Sequence, residues 1–175
     1  MILKSFSKIN LSLSVNKKPK KKNGLHDIQS YYCLVDLFDE IRIKVIKGQK
    51  DIIKFKGKFS KYLSNTDNSI KNTLNILRKK HFISKYYAVS IKKKIPVFAG
   101  MGGGSSNSAC IINHLVGTKI DKSLSKLLNK KIGSDLKLFF YEQGFLKNLE
   151  TIDVFPKKHR LFLLLVYPNI KCSTK

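Results

Sequence analysis

Tryptophan is absent from this 175-residue chain, methionine occurs only twice, proline four times and cysteine three times. Cys33, Cys110 and Cys172 are odd in number, far apart and form no CxxC pair. They suggest neither a disulfide framework nor a zinc site, and reduced thiols in a cytoplasmic protein are the expectation. Acidic residues are also scarce, 11 against 35 Lys and Arg, which leaves a net charge of +24. Nucleic acid, anionic lipid and phosphorylated small molecules are therefore the first partners to consider. Arginine is nearly missing as well, found only at Arg42, Arg78 and Arg160. The guanidinium is the side chain that grips phosphate in bidentate fashion, so a charge built almost wholly of lysine argues weakly for a dedicated nucleic-acid surface. Lys, Asn and Ile are abundant together, as an AT-rich coding sequence produces. Long apolar runs are lacking too: Lys4, Lys8 and Asn10 break the N-terminal stretch, and the run at 161–167 is far below the roughly 20 residues a bilayer-spanning helix needs. No membrane association is expected.

What remains is 42% hydrophobic, enough for one ordinary core and too little chain for two full-sized domains. In 6–15, FSKINLSLSV, Ile9, Leu11, Leu13 and Val15 alternate with polar residues, the pattern of a half-buried strand with those four inward. A Lys-rich stretch ending in the turn pair Asn23-Gly24 places His26 in a loop. A second apolar stretch covers 31–38. Ile41, Ile43 and Val45 alternate as a strand, and a short strand at 52–55 is expected to pair with it. After Asp67, Asn68 and Ser69, any of which can cap, Ile70, Leu74 and Leu77 recur at helical spacing toward a basic C-terminal end. Residues 88–95 alternate again and run into a glycine cluster, after which Ala109, Ile112 and Val116 share a helical face. A short helix at 123–130, a strand at LKLFFY from Leu136 and a buried strand at RLFLLLVYP complete an α+β pattern.

The most informative segment is IPVFAGMGGGSSNSA, 95–109. Glycines allow positive φ and close approach, so that successive N–H groups and the start of the following helix can surround phosphate oxygens, with Ser105 and Ser106 supplying hydroxyls. Two familiar phosphate loops fail on spacing. No Gly-Lys-Ser or Gly-Lys-Thr occurs, and a dinucleotide fingerprint starting at Gly100 would need glycine where Ser105 stands. The segment instead resembles the phosphate-binding motif of the GHMP kinases. Its three glycines, two serines and Asn107 look most like the branch that acts on a cytidine diphosphate-linked methylerythritol.

Further matches follow in order. SKINLSL at 7–13 resembles the family's first motif, GLHD at 24–27 its GYHE, DNSI at 67–70 its DNLI, IGSD at 132–135 the start of its LGADVP, and YPNIKCSTK at 167–175 its HPGVSIPT. The resemblance implies a two-layer α+β kinase N-terminal domain, akin to a ribosomal protein domain, over 1–150, with 151–175 as the start of a C-terminal domain. It also implies transfer of the γ-phosphoryl group of ATP, with Mg²⁺, to a tertiary hydroxyl of that small-molecule substrate. Carried over residue by residue, Asp135 is the catalytic base and Lys8 its cation, Asn10 positions substrate, and His26 reads cytosine. Asn68 and Lys93 lie near adenine, and Pro96, Val97, Phe98, Ala99, Gly100, Met101, Gly102, Gly103, Gly104, Ser105 and Ser106 hold the phosphates. Ser106 is the candidate for a metal contact. Departures from the pattern are Leu25 for an aromatic residue, Phe98 and Ala99 for glycines, and Lys137 for proline. A related kinase for another alcohol, an inactive kinase fragment and a basic RNA-binding module remain as alternatives, the last with its lysine runs as phosphate contacts.

Overall fold

The structure, a computed structural model, describes residues 1–16, 28–117, 120, 122–148 and 151–168. His26 with Leu25, and Ser173 with Thr174, lie outside the described residues. The strands are β1 (Leu3–Val15), β2 (Ile28–Ile46), β3 (Ile52–Lys56), β4 (Tyr86–Lys92), β5 (Gln143–Leu146) and β6 (Ile152–Asp153). The α-helices are α1 (Ser69–Lys79), α2 (Gly103–Val116) and α3 (Lys122–Ile132), with 3-10 turns at Ser60–Tyr62 and Leu136–Phe140. β2 organises the sheet: β1 runs antiparallel to it, β4 pairs with its C-terminal part and β5 with its N-terminal part. β3 runs parallel to β4 and β6 closes the far end on β5.

Periodicity explains the layering. Ile41 of β2, Ile53 of β3 and Tyr87, Val89 and Ile91 of β4 point one way, and they pack in one buried cluster with Ile70, Leu74 and Leu77 of α1, Ala109, Ile111 and Ile112 of α2, and Leu124 and Leu128 of α3. The helices therefore cover one face of the sheet, and burying each large aliphatic side chain there stabilises the domain by about 1.5–3 kcal/mol. The opposite face exposes Arg42, Lys44, Lys54, Lys56 and Lys92. α1 starts at Asn68, whose Oδ1 accepts from the Lys71 backbone N–H at 3.0 Å, so of the three candidate caps this is the one used. No helix among the described residues is long and apolar enough to cross a membrane.

Four expectations from periodicity fail. The 52–56 strand pairs with β4, not with the 41–45 segment. LKLFFY forms a 3-10 turn because its carbonyls bond three residues ahead, as in Leu138 N–H to Asp135 O. Residues 161–168 join no strand pair of the described sheet, and Phe162, Leu164 and Val166 are exposed. In β1 the inward residues are Ser5, Ser7 and Lys8, while Leu11, Leu13 and Val15 are about half exposed. Register shifts at Phe6/Ser7 and Asn10/Ser12 reset the alternation, since each bulge moves the following side chains to the other face.

One buried polar clamp joins the helix layer to the sheet. Arg78 Nη2 donates to both Asp51 oxygens at 3.0 Å, and Asp51 Oδ1 also accepts the Tyr87 N–H at 2.8 Å. The guanidinium in addition lies over the Tyr86 ring, 4.3 Å from its centroid. Asp51→Ala strands a part-buried cation and is expected to cost about 3 kcal/mol. The check is a urea titration, in which the midpoint falls and the slope stays the same.

Candidate functional site

β4 leaves the sheet at Lys92, and the chain crosses Lys93–Met101 before entering α2. Gly102 is the N-cap of α2, in the left-handed region at φ 68°, and no side chain caps the helix. A Cβ at 102 would stand 2.6 Å from Cζ of Phe139 and 3.8 Å from Oδ2 of Asp135. The ring of the Leu136–Phe140 turn thus packs directly on this glycine, and the Asp135 carboxylate sits at the mouth of the helix. The first turn of α2 carries no acidic residue, which leaves the positive end of the helix for an external anion.

β1 closes the other side. The Lys8 backbone N–H donates to Met101 O at 3.1 Å, fixing the loop to the strand. Lys8, 5% exposed, places Nζ 3.3 Å from Asp135 Oδ2 and donates to Asn10 Oδ1 at 3.1 Å. Ser30 Oγ, on the neighbouring strand, lies 3.1 Å from the same Oδ1 and donates to Ser12 O at 2.7 Å. The side chain of Asp135 remains 38% exposed and makes no capping hydrogen bond to its own turn. A carboxylate open to solvent, with its other side on an ammonium, is within reach of an incoming hydroxyl, the geometry that general-base chemistry needs.

The remaining residues support the loop. Ser69 Oγ donates to Gly104 O at 3.2 Å, which sets the start of α1, with Asn68, beside the start of α2. Ser105 is partly exposed and faces Gly133, where a Cβ would lie 3.0 Å from its Oγ. Ser106 points inward: its hydroxyl donates to Phe6 O and lies 2.7 Å from Ser5 Oγ. Lys93 is 4% exposed, with its ammonium on the carboxylate of Asp39. Burial pulls the Lys93 pKa down and Asp39 works against that pull. Phe98 takes φ 63°, a region costly for a side chain, and its ring meets Tyr62 edge-on at 6.3 Å. Tyr167 OH donates to Val97 O at 3.4 Å, so the C-terminal segment touches the outside of the loop.

The structure therefore brings together Lys8 and Asn10, Asp135 and the glycine loop, drawn from three separate parts of the sequence. Sequence reasoning missed Asp39, Ser5, Ser30 and Phe139. Asp39 had a signal: it shares strand parity with Ile41 and Ile43, and a charge on an inward face needs a partner. Ser106, the candidate for a metal contact, is buried with its hydroxyl between Phe6 O and Ser5 Oγ. Among the described residues no cluster of three or more His, Cys, Asp or Glu could hold a metal ion.

Comparison with known proteins shows the family. The family model described as the GHMP kinases N terminal domain matches residues 68–137. The chain is 38% identical to the 4-diphosphocytidyl-2-C-methyl-D-erythritol kinase of Pelagibacter ubique over 99% of its own length and 62% of that relative's. It is 30% identical to the Ureaplasma parvum protein of the same name, covering 98% of this chain and 67% of the relative. A crystal structure of 4-(cytidine 5'-diphospho)-2C-methyl-D-erythritol kinase aligns with a TM-score of 0.63 at 20% identity, over 89% of this chain and 55% of that one. The chain thus spans about 60% of the length of the curated relatives it matches.

Any side chain at 102 meets both the Phe139 ring and an unfavourable φ. Gly102→Ala is expected to weaken binding of a nucleoside triphosphate by about tenfold or more, the equivalent of 1.4 kcal/mol. In Gly102→Ala/Phe139→Ala the steric part is relieved, and titration calorimetry should show part of the affinity returning.

Proposed function

Since this chain belongs to the GHMP kinases, in the branch of the 4-diphosphocytidyl-2-C-methyl-D-erythritol kinases, we propose that it binds ATP and transfers the γ-phosphoryl group to the 2-hydroxyl of 4-diphosphocytidyl-2-C-methyl-D-erythritol. The reaction would belong to the methylerythritol phosphate route to isoprenoid precursors. The observation that carries the reading is the 3.3 Å contact between Lys8 and Asp135 at the open N-terminus of α2. Phosphoryl transfer asks a protein mainly for alignment and charge stabilisation, and this arrangement offers one base, one cation and one anion cradle in contact.

Each residue has a distinct part in the reaction. Asp135 accepts the proton of the attacking hydroxyl. Lys8 orients that carboxylate and directs the hydroxyl, and because it also bonds Met101 through its backbone, acceptor and phosphate loop share one anchor. Asn10, fixed by Lys8 and Ser30, presents its amide to the acceptor alcohol. His26 would read the cytosine from its loop. Residues 96–106 receive the triphosphate, with Gly103 and Gly104 at the helix start and Asn68 beside them on the adenine side. Lys93 supports that loop from within. Mg²⁺ would come as part of the nucleotide, coordinated chiefly by phosphate oxygens and water as is usual for this ion.

Residues 1–150 form the nucleotide-binding unit in this reading, and 151–175 begin a second one, with β6 still paired on the first unit's sheet. The support is local: Phe162, Leu164 and Val166 alternate in exposure like one face of a strand, yet the segment lies outside the sheet ladders.

The test is ATP-dependent phosphorylation of 4-diphosphocytidyl-2-C-methyl-D-erythritol by the purified chain. Product is expected, and Asp135→Asn should lower the rate by about 10²- to 10⁴-fold, the usual range for removal of a general base, with ATP affinity little changed. Nucleotide binding without turnover would overturn the activity assigned to this chain, and absence of nucleotide binding would overturn the assignment of the glycine loop.

A further inference from the structure

We infer that Asp39 is a positioning residue of the nucleotide site, acting through Lys93 and the entry to the glycine loop; the inference rests on the function proposed above. Asp39 is fully buried on β2, one residue before the last register pair of the β2–β4 ladder, Glu40 with Lys92. Beyond that pair β4 has no ladder partner on β2, so the next N–H groups must be satisfied elsewhere. Asp39 Oδ1 accepts the N–H of Lys94 at 2.7 Å and that of Ile95 at 3.0 Å. The carboxylate thus takes over where the β2–β4 ladder stops and fixes the direction in which the chain departs toward Gly100 and Gly102.

Its second oxygen holds the Lys93 ammonium. Lys93 Nζ stands 3.3 Å from where a Cβ of Gly103 would be, directly beneath the first residue of α2. The Lys93 backbone is clamped too. Its N–H donates to Lys56 O at 2.7 Å, and Gly57, at φ 94°, leaves no room for a Cβ, which would lie 2.7 Å from Lys93 O. A buried cation beneath the positive end of a helix is unfavourable unless a carboxylate accompanies it. Asp39 is that carboxylate. Neither side chain is exposed enough to meet a nucleotide, so both act on it through the backbone of residues 94–103. The sequence motifs include Lys93 but omit its partner.

Asp39→Asn separates the two duties, because the amide oxygen can still accept the Lys94 and Ile95 N–H groups while the charge facing Lys93 is lost. In the full chain this variant is expected to weaken ATP binding by about tenfold or more, leave binding of cytidine diphosphate within about twofold of the parent, and raise amide exchange in residues 94–106 relative to the C-terminal half of α1. Asp39→Asn/Lys93→Gln, which removes the uncompensated charge, is expected to recover most of the ATP affinity and also serves if the single variant does not fold. An unchanged ATP affinity in a folded Asp39→Asn, or equal loss of both ligands with no recovery in the double variant, would sink the inference. If the parent chain binds no ATP, the proposed function fails instead, and the exchange pattern alone decides: a rise confined to 94–106 upholds the positioning role, and a uniform rise removes it.

Discussion

A helix can present a bare N-terminus to a ligand only if something other than its own capping side chains holds the chain that enters it. α2 begins at a left-handed glycine with no side-chain cap, and the order of its first turn has to come from outside. Three unrelated contacts meet that need: β1 through the Lys8 N–H on Met101, the 3-10 turn through Phe139 on Gly102, and the middle of β2 through Asp39 on Lys94 and Ile95. Ser69 on Gly104 adds a fourth from α1. β1, β2, α1 and the 3-10 turn all touch this one opening, so the β1 register and the placement of α1 help to hold its shape.

Two lysines flank the opening, and each has one carboxylate, but the surroundings give the pairs different uses. Asp39 is wholly enclosed and its three hydrogen bonds consume its acceptor capacity in structure. Asp135 has one face on Lys8 and the other in solvent. An enclosed pair is bound to its geometry, since loss of either partner leaves a charge with no water to solvate it. A half-open pair stays accessible to whatever docks on it. An accessible pair and an enclosed one are thus built from the same residue types and distinguished by solvent access.

The sequence makes the glycine loop, α1 with its Asn68 cap and the strand before the loop legible, because each is encoded by local signals: positive-φ residues, a capping side chain, a 3.6 or 2.0 period. The inward face of β1 is misread, since alternation cannot reveal a bulge, and Ser7 and Lys8 owe their burial to one. LKLFFY reads as a strand from its composition, whereas the demand that Phe139 cover Gly102 is a tertiary one. Residues 161–167 have the composition of a buried strand and no strand partner in the described sheet. Lys8, Asn10 and Asp135 are identified through motif resemblance. Their mutual contact is a property of the sheet register.

The exposed apolar row at Phe162, Leu164 and Val166 has a colloidal consequence. Extended apolar segments outside a sheet are templates for pairing between molecules. With a net charge of +24, molecules of this chain repel one another before such segments can meet, but that repulsion reaches only about 8 Å at physiological ionic strength and about 3 Å in molar salt. Raising the ionic strength therefore weakens the repulsion that keeps such segments apart, and the lysines that say little about a ligand are its source.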